Sequence, residues 1–446
     1  MESRAGESGS GFLPSWRLKT SGIIAPDERL PWGQTIVAGV QHVIAMFGAT
    51  VLMPIVMGFD PNVAILFSGV GTILFFLIVG GRVPSYLGSS ASFIGVVIAV
   101  TAYSGQGPNL NLPLALGGIV AAGALYAAIG VVVMVAGTRW IEVVMPPVVT
   151  GAVVAAIGLN LAPIAVQNLN TGFNAWIGLI TVAAVGMVAV MAPGLLRRLP
   201  VLVGGIIGYV IYLVLANGLG LAPAISFAAL VAAPWFGLPR FEAPLFDSRV
   251  MVQMAPVAII LVAENLGHVK AIGAMVGRNL DPWLGRAFLG DGVATMVAGM
   301  GGGTGVTTYA ENIGVMAVTR IYSTIVFVVA GVVAILLGFS PKFGALILTI
   351  PAPVLGGLSV VVFGLIAATA GRIWVQNRVD FSNPRNLITV GAAVTIGAGN
   401  LALPFGEFTL GGIGTATFGA IVLYHLLREP TGAATEPQAE RTRDAA

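Results

Sequence analysis

The sequence predicts an all-α polytopic membrane protein of fourteen transmembrane segments, built as two inverted seven-helix repeats. Three observations predict it. First, 57% of the 446 residues are hydrophobic and 9% are charged. A soluble domain carries roughly 25% charged residues, so this chain cannot cover a water-facing surface. Second, uncharged runs such as 143–180 and 321–340 exceed the ~20 residues a spanning helix needs. Third, the basic residues fall after every second hydrophobic segment, which fits an even number of crossings.

The segments lie near 34–57, 62–80, 88–104, 113–136, 143–162, 174–193, 200–218, 251–273, 285–300, 309–319, 322–340, 343–368, 386–402 and 408–427, numbered here 1 to 14. Arg82 follows segment 2, Arg139 segment 4, Arg197 and Arg198 segment 6, and Arg278 and Arg286 segment 8. Arg320 follows segment 10, Arg372, Arg378 and Arg385 segment 12, and Arg428 segment 14. Lys342, Arg240 and Arg249 are the exceptions. Positive-inside bias then places both termini in the cytoplasm. The chain divides into a tail at 1–30, a first repeat at 31–218, a connector at 219–250, a second repeat at 251–427 and a tail at 428–446. The connector is rich in proline and aromatic residues and reads as interfacial; the tails are polar and read as disordered.

Seven is odd, so the second repeat must start from the opposite side of the bilayer. Pro147-Val148-Val149-Thr150-Gly151, ending in Gly158-Leu159, resembles Pro353-Val354-Leu355-Gly356-Gly357, ending in Gly364-Leu365. Ile94-Gly95-Val96 likewise matches Ile313-Gly314-Val315. Such small-residue motifs can also coincide by chance in a chain with 61 glycines. Segments 3 and 10 open on small polar residues, Gly88-Ser89-Ser90-Ala91-Ser92 and Gly302-Gly303-Thr304-Gly305-Val306-Thr307-Thr308. Interrupted helices in matching places of two inverted halves mark a transporter's binding site. Non-helical backbone at membrane depth must be buried or line a cavity. The expectation is two short strands, 88–92 and 304–308, meeting near the midplane and each leading into a half-helix.

Ionisable residues inside a span are expensive and are functional candidates. Glu264 lies mid-segment, and His268 is four residues on, on the same helix face. The pair either serves the substrate or locks two helices together. Glu311 closes Thr308-Tyr309-Ala310-Glu311, which fits a capping box; a capping carboxylate there is still one that a substrate can address. Gln41 and His42 either line the site or bond neighbouring helices. Asp291 reads as an ion pair with Arg286 at the cytoplasmic edge, and His425 as interfacial. The two acids sit in different settings. Glu311 lies in the first turn of a half-helix, where the dipole favours negative charge. Glu264 lies among apolar neighbours, where charge is costly, and is the better proton carrier, with His268 one turn away.

Other classes of function find no support. There are no cysteines, and His42, His268 and His425 are too scattered for a metal site. The run 299–305 lacks the Lys-Ser/Thr of a phosphate loop. The net charge of +3 is spread along the chain, which does not suggest a nucleic-acid partner. The first thirty residues mix both signs of charge, unlike a signal peptide. No nucleophile–base constellation suggests an enzyme.

Glu311-Asn312-Ile313-Gly314, four residues, then Thr319-Arg320 resembles the signature of the nucleobase–ascorbate transporters, the second nucleobase–cation symporter family. Gln41-His42, Tyr86-Leu87-Gly88-Ser89-Ser90 and Ala263-Glu264 with His268 fit it too, and the likeness covers about residues 30–427. Stretches 25–31 and 372–380 are most similar to the pyrimidine-permease branch. The resemblance implies a core domain (segments 1–4 and 8–11), a gate domain (segments 5–7 and 12–14), proton symport with no other cofactor, and homodimers among relatives. It implies that Glu264 and Glu311 bind the base, that His268 assists, and that the backbones of Ala91 and Ala310 meet its carbonyl oxygens. Ser92 and Asn312, with Gln41 and His42, would line the site. Relatives often carry an aromatic residue where Ala91 stands, so stacking there is not carried over. Purine-transporting members usually have Gln where Glu311 stands, which favours a pyrimidine such as uracil or thymine.

The chemistry is coherent by itself. Uracil offers two ring N–H donors and two carbonyl acceptors; carboxylates accept from the first, and half-helix N-termini donate to the second. A purine symporter of the same fold and a channel are the competing expectations. Two carboxylates argue against an anionic substrate, and one pair of acids is unlike the charged ring of a channel.

Overall fold

The computed structural model describes residues 12–105, 107–194, 196–405 and 408–428. Residues 1–11 and 429–446 of the expected tails lie outside the described residues. Helices occupy each hydrophobic segment. Among the described residues eight helices are long and apolar enough to cross a bilayer, among them Trp32–Met57, Leu112–Ala136 and Ala352–Gln376. Thr324–Gly338 with Pro341–Ile347 makes a ninth if that pair, bent by 86°, is one span. The chain is a multi-pass membrane protein. Large apolar side chains such as Val135, Met191, Leu238 and Val422 face outward, as a lipid-facing surface requires.

Two boundaries differ from expectation. Residues 341–347 form their own helix, opened by Ser340 as cap and Pro341 in its first turn, so the helix of segment 12 begins only at Ala352, after Pro351. Segment 5 is likewise split, with Arg139–Val144 separate from Pro147–Asn160 at Pro146. Proline at the N-cap or in the first turn explains both, because its missing N–H is not needed there.

Six short strands complete the fold: β1 (Arg17–Leu18), β2 (Glu28–Arg29), β3 (Leu87–Ser89), β4 (Val306–Thr308), β5 (Leu403–Phe405) and β6 (Phe408–Leu410). They pair as β1 with β2, β3 with β4 and β5 with β6. The β1–β2 pair corrects the expectation of a disordered N-terminal tail for residues 12–30. Polar composition suggested disorder, but Ile24 is 1% exposed and bridges Ile321.

Small residues bring the helices together. A Cβ on Gly69 of segment 2 would lie 2.4 Å from the carbonyl oxygen of Gly331 in segment 11. A Cβ on Gly130 of segment 4 would lie 2.4 Å from the backbone nitrogen of Leu289 in segment 9. In lipid such backbone-to-backbone approach supplies the packing that water would otherwise drive.

Candidate substrate site

β3 and β4 run antiparallel, with Leu87 opposite Thr308, Gly88 opposite Thr307 and Ser89 opposite Val306. All six residues are buried. So short a ladder leaves many backbone groups to satisfy, and threonines on neighbouring helices supply the partners. Thr72 Oγ1 accepts from the Leu87 N–H at 2.9 Å. Thr295 Oγ1 accepts from the Val306 N–H at 3.2 Å and donates to the Val306 carbonyl at 3.0 Å. Beyond the ladder, the Ser90 N–H donates to Gly305 O and the Tyr309 N–H to Tyr86 O. The Tyr309 hydroxyl donates to Ser89 O at 2.7 Å.

The strands are shorter than the expected 88–92 and 304–308. Residues Ala91–Phe93 already form a 3-10 turn, because Ser90 Oγ accepts from the Ser92 N–H and starts it. Ala91 and Ala310 therefore open half-helices rather than lying on strands. Their N–H groups stand in the first turn, where a helix offers no internal acceptor. Helix Ile94–Thr101 follows one, and Ala310–Thr319 is the other.

Glu264 and Glu311 come together at this crossing, each half-buried and within electrostatic reach of the other. The buried Ser92 lies close to Glu264, and the turn that carries it packs on the helix of segment 8. Glu311 is the second residue of its helix. The expected capping box does not form. Tyr309, not Thr308, stands at the N-cap without a side-chain cap bond, and Thr308 Oγ1 is bonded to His268 Nδ1 at 2.9 Å. His268 thus reaches the base of β4 and does not close a Glu–His lock.

His42 is 1% exposed, ring-packed on Phe327, and bonded to Asn312. The Asn312 Nδ2 lies 3.0 Å from both the His42 carbonyl oxygen and His42 Nδ1. A carbonyl only accepts, so Nδ2 is the donor to both, and the His42 proton is on Nε2. His42 and Asn312 bond segments 1 and 10 to each other, and Gln41 stands half-buried beside them.

Asp291 corrects a sequence expectation and adds a residue to the site's support. It does not pair with Arg286, whose guanidinium lies over the Trp283 and Phe12 rings. Five residues along a helix is ~140° of rotation, so the two side chains leave on different faces. Asp291 is buried under β4, where its Oδ2 accepts from Asn265 Nδ2 at 2.7 Å and from Thr307 Oγ1 at 3.5 Å. Asn265 also donates to the Tyr126 hydroxyl at 2.9 Å, and that hydroxyl reaches Leu261 O. Tyr126 and Asn265 escaped sequence reasoning, and Thr308 was read there as a helix cap rather than as the partner of His268. Asn265 alone carried a signal, as an amide beside Glu264 in an apolar segment.

A family model described as a permease family matches residues 33–406. The chain belongs to this permease family. It is a transporter rather than an enzyme, and the family is the one its motifs resemble. It is 63% identical over 422 residues to the "Putative pyrimidine permease RutG" of Escherichia coli, covering 94% of this chain and 95% of that one. It is 40% identical to the "Uracil permease" of Bacillus caldolyticus (91% and 94% covered) and 36% identical to that of Escherichia coli (91% and 94%). Among solved structures, the transmembrane domain of the cyanobacterial bicarbonate transporter BicA superposes with a TM-score of 0.62 at 16% identity, over 87% of this chain and 97% of that one. The murine Solute Carrier 26 family member A9 anion transporter, inward-facing, gives 0.62 at 12% identity, over 88% and 67%. At these identities the likeness is one of fold.

Proposed function

We propose that this permease takes up a pyrimidine nucleobase, uracil and also thymine, across the bacterial inner membrane by proton-coupled alternating access. The observation that carries the reading is the meeting of Glu264 and Glu311 beside two half-helix N-termini at Ala91 and Ala310. Two acceptors and two sets of donors match the ring N–H groups and carbonyl oxygens of uracil. Relatives named for uracil and pyrimidines agree with that cargo. Protonated Glu264 helps bind the base, and its deprotonation toward the cytoplasm weakens binding and releases it.

The architecture that goes with this reading has fourteen crossings in two inverted repeats, with core and gate domains and cytoplasmic termini. Helix pairing supports it. Segment 4 packs on 9 as segment 11 packs on 2, and segment 5 packs on 13 as segment 12 packs on 6 — pairs that an inverted repeat relates to each other. The threonine contacts of β3 and β4 follow the same relation.

The test is uptake of labelled uracil into proteoliposomes with an inward proton gradient, challenged with unlabelled bases. Uracil and thymine should compete, and xanthine and urate should not. Competition by xanthine as strong as by uracil would replace the pyrimidine reading with a purine one. Accumulation that survives a protonophore would remove the proton coupling.

A further inference from the structure

The helices that carry the two acids end on the same side of the molecule, and one stretch of chain is bonded to both ends. Helix Val257–Val276 carries Glu264 and ends ~18 Å beyond it; helix Ala310–Thr319 carries Glu311 and ends ~12 Å beyond it. Just past the first, Arg278 Nη2 donates to Asp27 Oδ1 at 2.6 Å. Just past the second, the chain from Arg320 to Tyr322 pairs with Ile24. The Ile24 N–H donates to Arg320 O at 3.0 Å, and the Tyr322 N–H donates to Ile24 O at 2.8 Å. Pro26 O then accepts from both the Thr324 N–H and its hydroxyl. The stretch is itself braced. Glu28 Oε2 accepts from the Ala25 N–H at 2.8 Å and from Lys19 Nζ at 2.9 Å. Trp16 donates from its ring nitrogen to Thr324 and stacks on Phe76.

We propose that residues 16–31 form a clasp that fixes the spacing of the helices bearing Glu264 and Glu311, with Ile24 and Asp27 as positioning residues for the substrate site. The clasp rests on the substrate reading above, in that the two acids act together on one small rigid ligand. A helix of ten residues is marginal alone, so its anchors set its position. The helix of Glu311 has β4 at one end, the clasp at the other, and the Asn312–His42 contact between them. Two carboxylates that must meet opposite edges of one planar base tolerate little drift, so a preset spacing gives affinity that would otherwise be lost to ordering. The hydrogen bonds that Ile24, Pro26 and Asp27 make outside the N-terminal stretch fall just past the ends of segments 8 and 10 and on the start of segment 11, so the clasp joins these three. Asp27 is suited to a lasting contact. Its partial burial works against charge, but the Arg278 hydrogen bond, a backbone bond and the Arg278 and Arg17 charges together hold its carboxyl below the ordinary value.

The experiment uses the full chain, purified and reconstituted, and reads three quantities: membrane abundance, the Kd for uracil, and hydrogen exchange at residues 309–314 without ligand. Ile24→Asp should keep its abundance, weaken uracil binding about tenfold and speed exchange at 309–314. Asp27→Arg should weaken binding by about two- to fivefold, the range of a half-exposed ion pair. Combining it with Arg278→Asp should restore both readouts to within about twofold, which a general loss of stability would not allow. Uptake should show a raised half-saturation with an unchanged maximal rate. Wild-type Kd and wild-type exchange in Ile24→Asp would overturn the clasp. If Ile24→Asp fails to reach the membrane, the charge pair decides: an unchanged Asp27→Arg, or a double variant no better than the single, overturns it. Exchange is read without ligand, so a wild type that binds no uracil would sink the substrate reading, and the exchange rates of the variants would still decide the clasp.

Discussion

Segments 3 and 10 share a scaffold. Each brings a three-residue strand to the crossing, each strand is bonded through a backbone N–H to a threonine of the preceding helix, and each runs into a half-helix that starts beside the strands. They differ in what hangs on that scaffold. Segment 3 contributes backbone donors and the Ser92 hydroxyl. Segment 10 contributes Glu311 and is tied down by His268 at Thr308, by Asp291 under Thr307 and by His42 at Asn312. Donors are therefore present on both sides and the acid on one. On the proposed reading, a ligand whose edge alternates donors and acceptors would be oriented by that inequality.

The sharpest way to break the shared scaffold is at Gly88. A Cβ there would lie 2.4 Å from the Tyr309 ring and 2.5 Å from Thr50 Oγ1. Gly88→Val should destabilise the protein by about 3 kcal/mol or more, since neither a ring nor a buried helix can withdraw cheaply. Thermal melting of purified protein and loss of uracil uptake would register it. Its register partner Thr307 should be far more tolerant, because Thr307→Val keeps the shape and removes one long contact to Asp291, worth about 1 kcal/mol.

The inequality of the two halves is tested next. Glu311→Gln keeps the size and removes the charge and one acceptor. Losing a charge-assisted hydrogen bond costs about 1.5–3 kcal/mol, roughly ten- to a hundredfold in uracil affinity, with abundance unchanged. Near-normal binding would reduce Glu311 to a helix-terminal residue. Ser92→Ala, on the other half, should cost only about fivefold by the same binding assay, because one hydroxyl beside Glu264 is lost and no charge is removed. Glu264→Gln should retain some binding or base exchange and lose accumulation driven by a proton gradient. Wild-type gradient dependence in that variant would move the proton to His268 or Glu311.

How much of this was legible in the sequence depends on distance along the chain. The breaks in segments 3 and 10 were legible because Gly-Ser-Ser and the glycine run cannot continue an apolar helix. Glu311 stands at one of those breaks, but Glu264 and His268 lie mid-segment, and their joining it was implied by the family resemblance alone. The strand register was not legible, because Thr72 and Thr295 fix it from other helices. The capping box at Thr308 failed for the same reason, with its hydroxyl taken by His268 from segment 8. Asp291 and Arg286 were close in sequence but leave their helix on different faces. The N-terminal stretch looked disordered by composition because its order comes from backbone bonds to residues 320–324, which composition does not register.

The smallest expected effect separates segment 10's chemistry from its outer anchor. If the acids at the crossing carry the proton, uptake should fall as external pH rises, and the clasp at the far end of segment 10 should have no part in that fall. The Asp27 carboxyl is held below its ordinary value of 3.8. A carboxylate with a lowered folded-state value contributes stability that is fully present above the ordinary value and is lost only as pH falls through the lowered one. Between about pH 5 and about pH 8 the Asp27–Arg278 contact is therefore constant. Asp27→Asn should lower uracil affinity by less than about fivefold, since the pair is half-exposed and worth under about 1 kcal/mol. Its uptake-versus-pH curve should overlay the wild-type curve once each is scaled to its own maximum. A displaced curve would mean that the outer end of segment 10 senses the proton as well, and that the division between a chemical end and an anchored end is wrong.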